Sequence, residues 1–334
     1  MNQTTNLGEG SVGRLLLRLS MPAILAQLVN MLYNIVDRMY IGHIPEIGAA
    51  ALTGVGVTFP ILMLISAFAA LVGMGGAPRA AIKMGEQDPG GAEQIMGNCA
   101  SVLLVCSIVL TAFFLLFGKQ LLLLFGASEN TIGYALSYMN IYVCGTVFVQ
   151  FALGLNAFIT TQGFARTSML TVVIGAAINI ILDPIFIFGF NMGVSGAALA
   201  TIISQAVSAI WVVRFLCSKK STLRIHKKNL KVRMGIIGPV FALGISPFIM
   251  QSTESLLNVA FNSSLQRYGG DIAVGSMAIL ASLMQVLFLP LMGLTQGAQP
   301  IISYNFGAKK NDRVRRTFFL LLISAVTFST VLWL

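Results

Sequence analysis

Three carboxylates in this 334-residue chain stand where a charge is expensive. Asp37, Asp183 and Glu254 lie inside long apolar runs, whereas the other eight acidic residues fall between runs or in the tails. An ionised side chain at the centre of a bilayer costs about 2.5–3.5 kcal/mol even on the mildest scales, so such a residue faces protein or water and marks a site. Asp37 closes a series with Gln27, Asn30 and Asn34, whose spacings of 3, 4 and 3 residues put all four on one side of a helix. A polar stripe of this kind lines a cavity or bonds to a facing helix. Arg38 follows directly but points about 100° away, so it need not neutralise Asp37.

Asn179 and Asp183, four residues apart, stand one above the other on a helix, and Pro184 behind them frees the carbonyl of Ile180. A carboxylate, an amide oxygen and a freed carbonyl suit a hard monovalent cation or a titrating proton; a kink with a polar partner is the plainer alternative. Gln251, Glu254, Asn258 and Asn262 repeat the design at spacings of 3, 4 and 4. Glu254 there either titrates or holds a cationic substrate, or it pairs with the polar stripe of a helix outside this chain. Gln27, Asn30, Asn34, Glu254 and Asn258 are the candidate cavity residues.

The elements that carry these residues follow from composition. Hydrophobic residues make up 56% of the chain and charged residues 10%, with a mean hydropathy of +0.85. A soluble domain carries about a quarter charged residues, so lipid must be the solvent for most of this surface. Nine apolar runs lie near 15–40, 49–77, 94–117, 132–160, 167–188, 193–216, 235–265, 272–303 and 317–334. Each can cross a hydrocarbon layer of about 30 Å as a helix. The weak alternation of a membrane barrel is absent, and the predicted class is an all-α integral membrane protein. The first run, Leu15 to Val36, exceeds a signal-peptide core and reads as a retained helix.

The net charge of +10 is a topology signal and no nucleic-acid footprint, because the basic residues sit between runs. With the N-terminus in the cytoplasm, 18 of 21 Lys and Arg fall inside, Lys119 and Arg267 outside, and Arg38 within a span. The loop 217–234 carries Lys219, Lys220, Arg224, Lys227, Lys228, Lys231 and Arg233. It divides residues 1–216, with helices one to six, from residues 235–334, with helices seven to nine. The four cysteines form no CxxC pair, and His43 and His226 are far apart, which speaks against a disulfide or histidine-metal framework. No P-loop, HExxH or nucleophile motif is present. Neither an enzyme, a cofactor nor an obligate protein partner is predicted.

A repeat is visible. Ser20-Met21-Pro22 resembles Ser246-Pro247 about 225 residues on, and Gly75-Gly76-Ala77-Pro78 with Gly85 matches Gly297-Ala298-Gln299-Pro300 with Gly307, offset by 222. An even number of spans separates the copies, so both halves face the same way, one of the two repeat plans of transporters. Six helices in each half predict twelve when complete. The chain ends at Leu334 within an apolar run, so it reads as C-terminally truncated by roughly 110 to 120 residues. Pro22, Pro60, Pro184, Pro247 and Pro290 predict bent helices, and 16 methionines with 22 phenylalanines would suit a pliable pocket.

At these residues a family resemblance enters. The run Asn34-Ile35-Val36-Asp37-Arg38-Met39-Tyr40-Ile41-Gly42 resembles the end of the first helix in multidrug and toxic compound extrusion transporters. Asn179-Ile180-Ile181-Leu182-Asp183-Pro184 and Gly193-Val194-Ser195-Gly196-Ala197-Ala198-Leu199-Ala200-Thr201 resemble its helices five and six. The resemblance implies two six-helix lobes around a V-shaped cavity in the bacterial plasma (inner) membrane. It implies export of lipophilic, often cationic small molecules in exchange for H⁺ or Na⁺ by alternating access. Asp37, Asn179, Asp183 and Thr201 would form the cation site of the N-lobe, with Na⁺ at Asp37 and Asp183 as the one metal ion, and Pro22 would bend helix one. Glu254 sits near an acidic residue that some members use, but its proline spacing is one residue off. Two alternatives stand beside this reading. A lipid-linked oligosaccharide flippase of a related fold would line its cavity with basic residues, and Arg38 is the sole one within a span. A membrane sensor would not need paired intramembrane acids.

Overall fold

The computed structural model of the chain describes residues 6–333, with their side chains except for a set within 255–286 and those of 332 and 333. Ten α-helices follow in order: α1 Val12–Gly42, α2 Gly48–Gly85, α3 Pro89–Leu124, α4 Ile132–Cys144, α5 Thr146–Gly154, α6 Asn156–Thr161, α7 Ala165–Pro184, α8 Val194–Cys217, α9 Met234–Gly307 and α10 Asn311–Trp333. Among the described residues seven stretches are long and apolar enough to cross a membrane, and the bent pair Ile132–Cys144 with Thr146–Thr161 makes an eighth. This is a multi-pass membrane protein. The six spans expected before the basic loop all appear, in order.

The fourth span is corrected. The apolar run 132–160 predicts one helix, but the chain bends by 60° between Cys144 and Thr146. Another helix packs at the bend: the Ile202 side chain of α8 occupies the space that a Cβ at Gly145 would need. Only glycine admits that approach, and at the bend Val143 O accepts from Thr146 Oγ1 at 2.7 Å and Thr111 Oγ1 at 2.9 Å. Pro22, in contrast, leaves α1 unbroken.

The helix ends alternate between two faces. One, the basic face, collects the leader before α1, the α2–α3 corner, the loop 218–233 and the α9–α10 corner. At its α2–α3 corner Asp88 accepts from Gly91 N at 2.8 Å, with Pro89 opening α3, a local sequence that stops one helix and starts the next. The other face holds the α1–α2, α3–α4 and α7–α8 turns.

A straight 74-residue α9 would measure about 110 Å, more than three hydrocarbon layers. Yet its early residues Val240 and Gly244 abut Gly75, and its late residue Tyr304 abuts Gly85, all on α2. The element therefore runs out from the basic face and returns to it, which fits the two expected spans, 235–265 and 272–303. The contacts are reciprocal: Gly85 packs on Tyr304 and Gly307 packs on Ile82, each pair related by the offset of 222. Gly75 meets Gly244, and its counterpart Gly297 meets Ser20. α1 and α9 also begin 222 residues apart, at Val12 and Met234. The duplication is thus an approximate two-fold with matching residues on both sides of one interface. These close approaches between α9 and α1 or α2 all lie in the half nearer the basic face.

Candidate functional site

Asp37 stands in the last turns of α1, near the face opposite the basic loops, and Asp183 near the end of α7, which packs along α1. Asp183 is fully buried and Asp37 only 9% exposed. Their carboxyl groups lie near enough to interact electrostatically. One turn back on α7, the buried Asn179 donates Nδ2 to Asp183 Oδ1 at 3.1 Å and to Thr201 Oγ1 at 3.4 Å. Thr201, on α8, gives its own proton to Ala197 O at 3.0 Å. The structure thus brings together all four residues of the expected cation site.

The local sequence explains the gathering. Pro184 cannot donate a helix hydrogen bond, and the chain behind it widens into a π-helical turn, Ile185–Gly189. That turn is closed by Phe190 N donating to Ile185 O at 2.8 Å. The backbone of Gly196 lies against the Phe186 carbonyl, so α8 starts hard on the widened turn. The buried Ala197, Ala198 and Ala200 keep it close enough for Thr201 to meet Asn179.

Asp37 Oδ1, Asn179 Oδ1 and Asp183 Oδ2 are buried with no hydrogen-bond donor. A buried acceptor left unpaired costs about 1–3 kcal/mol, and these three on neighbouring side chains form a cluster that a positive group can satisfy. The donors are all hard oxygens, which suits a proton or an alkali cation. Among the described residues no group of three or more His, Cys, Asp or Glu could hold a metal ion. Two further residues belong here. Tyr33 and Tyr138 lie within electrostatic reach of Asp37, and the Tyr138 hydroxyl lies beside Thr201. Tyr33 precedes Asp37 by four residues and so shares its helix side, a signal present in the sequence; Tyr138 arrives from α4 with no local signal.

The polar stripe of α1 fans out. Spacings of 3, 4 and 3 accumulate about 80° around a helix. Measured from Ser20, which faces α9, Gln27 and Asn34 are turned by about 20° and 40°, while Asp37 is turned by about 100°, toward α7. Gln27 is half-buried and Asn30 and Asn34 are exposed, with Asn34 Nδ2 donating to Asn30 O at 2.7 Å. Arg38 is placed over the Phe59 ring of α2, 5.5 Å from its centroid. Glu254 is exposed on α9, and nothing among the described residues joins it to Asp37 or Asp183. The Asn258 side chain lies outside the described residues.

A membrane-embedded helical repeat with a buried acidic pair near one face has the build of a secondary transporter. The MatE family model matches residues 22–185 and 247–334, two stretches that begin at the paired prolines Pro22 and Pro247. The multidrug export protein MepA of Staphylococcus haemolyticus (strain JCSC1435) is 30% identical over 322 residues, covering 96% of this chain and 70% of that protein. The MepA of Staphylococcus aureus (strain NCTC 8325 / PS 47) is 27% identical over 307 residues, 90% of this chain and 66% of its own length. A solved multidrug resistance MATE family transporter of the MOP superfamily, in an outward-facing conformation, shares the fold. Its TM-score is 0.91 at 24% identity, over 99% of this chain and 74% of that one. The chain belongs to the MatE family of multidrug and toxic compound extrusion transporters.

Proposed function

We propose that this chain is part of a secondary antiporter that exports lipophilic, often cationic compounds in exchange for H⁺ or Na⁺. The basic face lies in the cytoplasm of a bacterium and the Asp37–Asp183 pair opens toward the outside. The observation that carries the reading is the trio of unpartnered buried oxygens on Asp37, Asn179 and Asp183. Two facing carboxyl groups in a site of low dielectric repel unless a cation stands between them. A proton or Na⁺ arriving from the outer side would draw the end of α1 toward α7. Because α1 also presents Gln27 and Asn34 on the α9 side, that movement alters the surface offered to a substrate. Coupling follows if the ion binds one arrangement better than the other. No organic cofactor enters the cycle; the gradient supplies the work. That the MepA relatives are multidrug export proteins supports the substrate class.

The test is efflux of a fluorescent lipophilic cation from everted vesicles carrying the protein, under an imposed pH or Na⁺ gradient. Gradient-driven efflux by the parent, lost in both Asp37→Asn and Asp183→Asn at equal expression, is expected. The gradient that drives it names the coupling ion. Undiminished efflux in both variants would remove the site assignment.

A further inference from the structure

The short leader before the first helix of each lobe, residues 7–10 before α1 and 229–233 before α9, is gripped by the other lobe. Leu7 O accepts from Asn305 Nδ2 at 2.9 Å and Gly8 O from Lys310 Nζ at 2.9 Å. Arg313 spreads its guanidinium over the same segment, donating Nη1 to Gly10 O at 2.8 Å and Nη2 to Glu9 O at 3.1 Å. Its Nε donates to Asn305 Oδ1 at 3.1 Å, which fixes the amide. Leu7 itself is buried among Leu15, Leu16, Leu19, Ala298 and Ile301.

The second leader mirrors the first. Asn229 O accepts from Asn98 Nδ2 at 3.0 Å, Asn98 Oδ1 accepts from Arg233 N at 2.7 Å, and Leu230 O accepts from Ser101 Oγ at 2.6 Å. Leu7 and Asn229, and Gly8 and Leu230, are separated by the repeat offset of 222. Equivalent carbonyls are held in both copies, by a cation and amide set in one and by an amide and hydroxyl set in the other. A leader that served only the stability of its own lobe would be held by that lobe. Here each holding residue sits across the seam where Gly85 meets Tyr304 and Gly307 meets Ile82.

We propose that these are paired clamps that lock the basic face shut, with Asn305, Lys310 and Arg313 on one leader and Asn98 and Ser101 on the other as gating residues. The lobes cannot part at this face until the leaders let go. As a step in a transport cycle the proposal rests on the exporter reading, but the clamps are tested without substrate or gradient.

In a background with the four native cysteines replaced, Ser20→Cys places a thiol in the seam, where Ser20 is fully buried. An impermeant maleimide is added from the basic side. Lys310→Ala with Arg313→Ala, and separately Asn98→Ala with Ser101→Ala, should each raise the labelling rate at least tenfold in protein whose thermal midpoint shows it folded. An unchanged rate in both folded variants would overturn the proposal. Should either variant fail to fold, spin labels at the exposed Glu9 and Asp312 of the otherwise unaltered protein answer the same question. A second, longer distance population across a titration of pH and Na⁺ is expected, and one short distance throughout overturns the clamp. A negative result here leaves the efflux experiment intact, and a failed efflux experiment leaves these readouts interpretable.

Discussion

At the scale of the residue, Asn179 is the hub of the candidate site. Both hydrogens of its Nδ2 are engaged, one by Asp183 and one by Thr201, so its Oδ1 is left facing the group with nothing to accept from. Thr201 acts through Asn179: its hydroxyl oxygen holds the amide in the orientation that offers an oxygen to a cation. Thr201→Val keeps the volume and removes that acceptor. The net value of one such hydrogen bond, about 1 kcal/mol, predicts an apparent ion affinity weakened about five-fold, with the maximal efflux rate kept. Asp183→Asn should instead abolish dependence on the gradient. Initial efflux rates over a series of Na⁺ concentrations and pH values separate the two, and a Thr201→Val variant that loses the maximal rate instead would remove Thr201 from this role. The pairing of Asn179 with Asp183 was legible in the sequence because four residues along a helix is a contact. Tyr33 and Tyr138 were not read: the first shares the helix side of Asp37 at a spacing of four, a signal that was passed over, and the second comes near Asp37 only because α4 packs where it does.

At the scale of the element, the information missing from a single run is held by its neighbours. Apolar length predicts that 132–160 is one span, and nothing local contradicts it, since Gly145 is tolerated within a helix at a cost of about 1 kcal/mol. At the bend, Ile202 of α8 fills the place of a side chain. Gly145→Ala should therefore lower the thermal midpoint by an amount corresponding to about 1–3 kcal/mol of overpacking, and adding Ile202→Ala should restore part of the loss. A double-mutant cycle by thermal unfolding in detergent reads this directly, and strict additivity would refute the contact as the cause. The same logic applies to the lobe seam. Gly85→Ala and Gly307→Ala each push a methyl group into the backbone of the facing helix, whereas Gly56 has nothing within 4 Å of the added atom. The two seam variants should destabilise to similar degrees and Gly56→Ala by at most a few tenths of a kcal/mol if its exposed helix accepts alanine. Unequal seam effects would count against the reciprocal interface. Pro184 is the counter-example: its missing hydrogen bond is a local property, so the disturbance behind Asp183 could be read from the chain alone.

At the scale of the whole molecule, the repeat orients everything else. Paired glycines at an offset of 222 predicted two halves facing the same way, and the structure uses those glycines as the contact between the halves, Gly85 with Tyr304 and Gly307 with Ile82. The clamps on the leaders were not legible, because a carbonyl grip depends on tertiary position and leaves no motif. A parallel arrangement fixes that both leaders lie on one side of the bilayer, and on the exporter reading the bias of basic residues predicts that this side is cytoplasmic. The chain's orientation can thus be checked at two exposed loop positions, one on each face: Thr222 in the basic loop and Glu129 in the turn between α3 and α4. With native cysteines replaced, Glu129→Cys should react with an impermeant maleimide in intact cells. Thr222→Cys should react only in everted vesicles or permeabilised cells. The reverse pattern would turn the molecule over, place the Asp37–Asp183 pair on the cytoplasmic side, and require the coupling ion to enter from the compartment the exporter reading has it leave toward. Reactivity of both positions in intact cells would mean that the chain inserts in both orientations, since Thr222 and Glu129 lie on opposite faces.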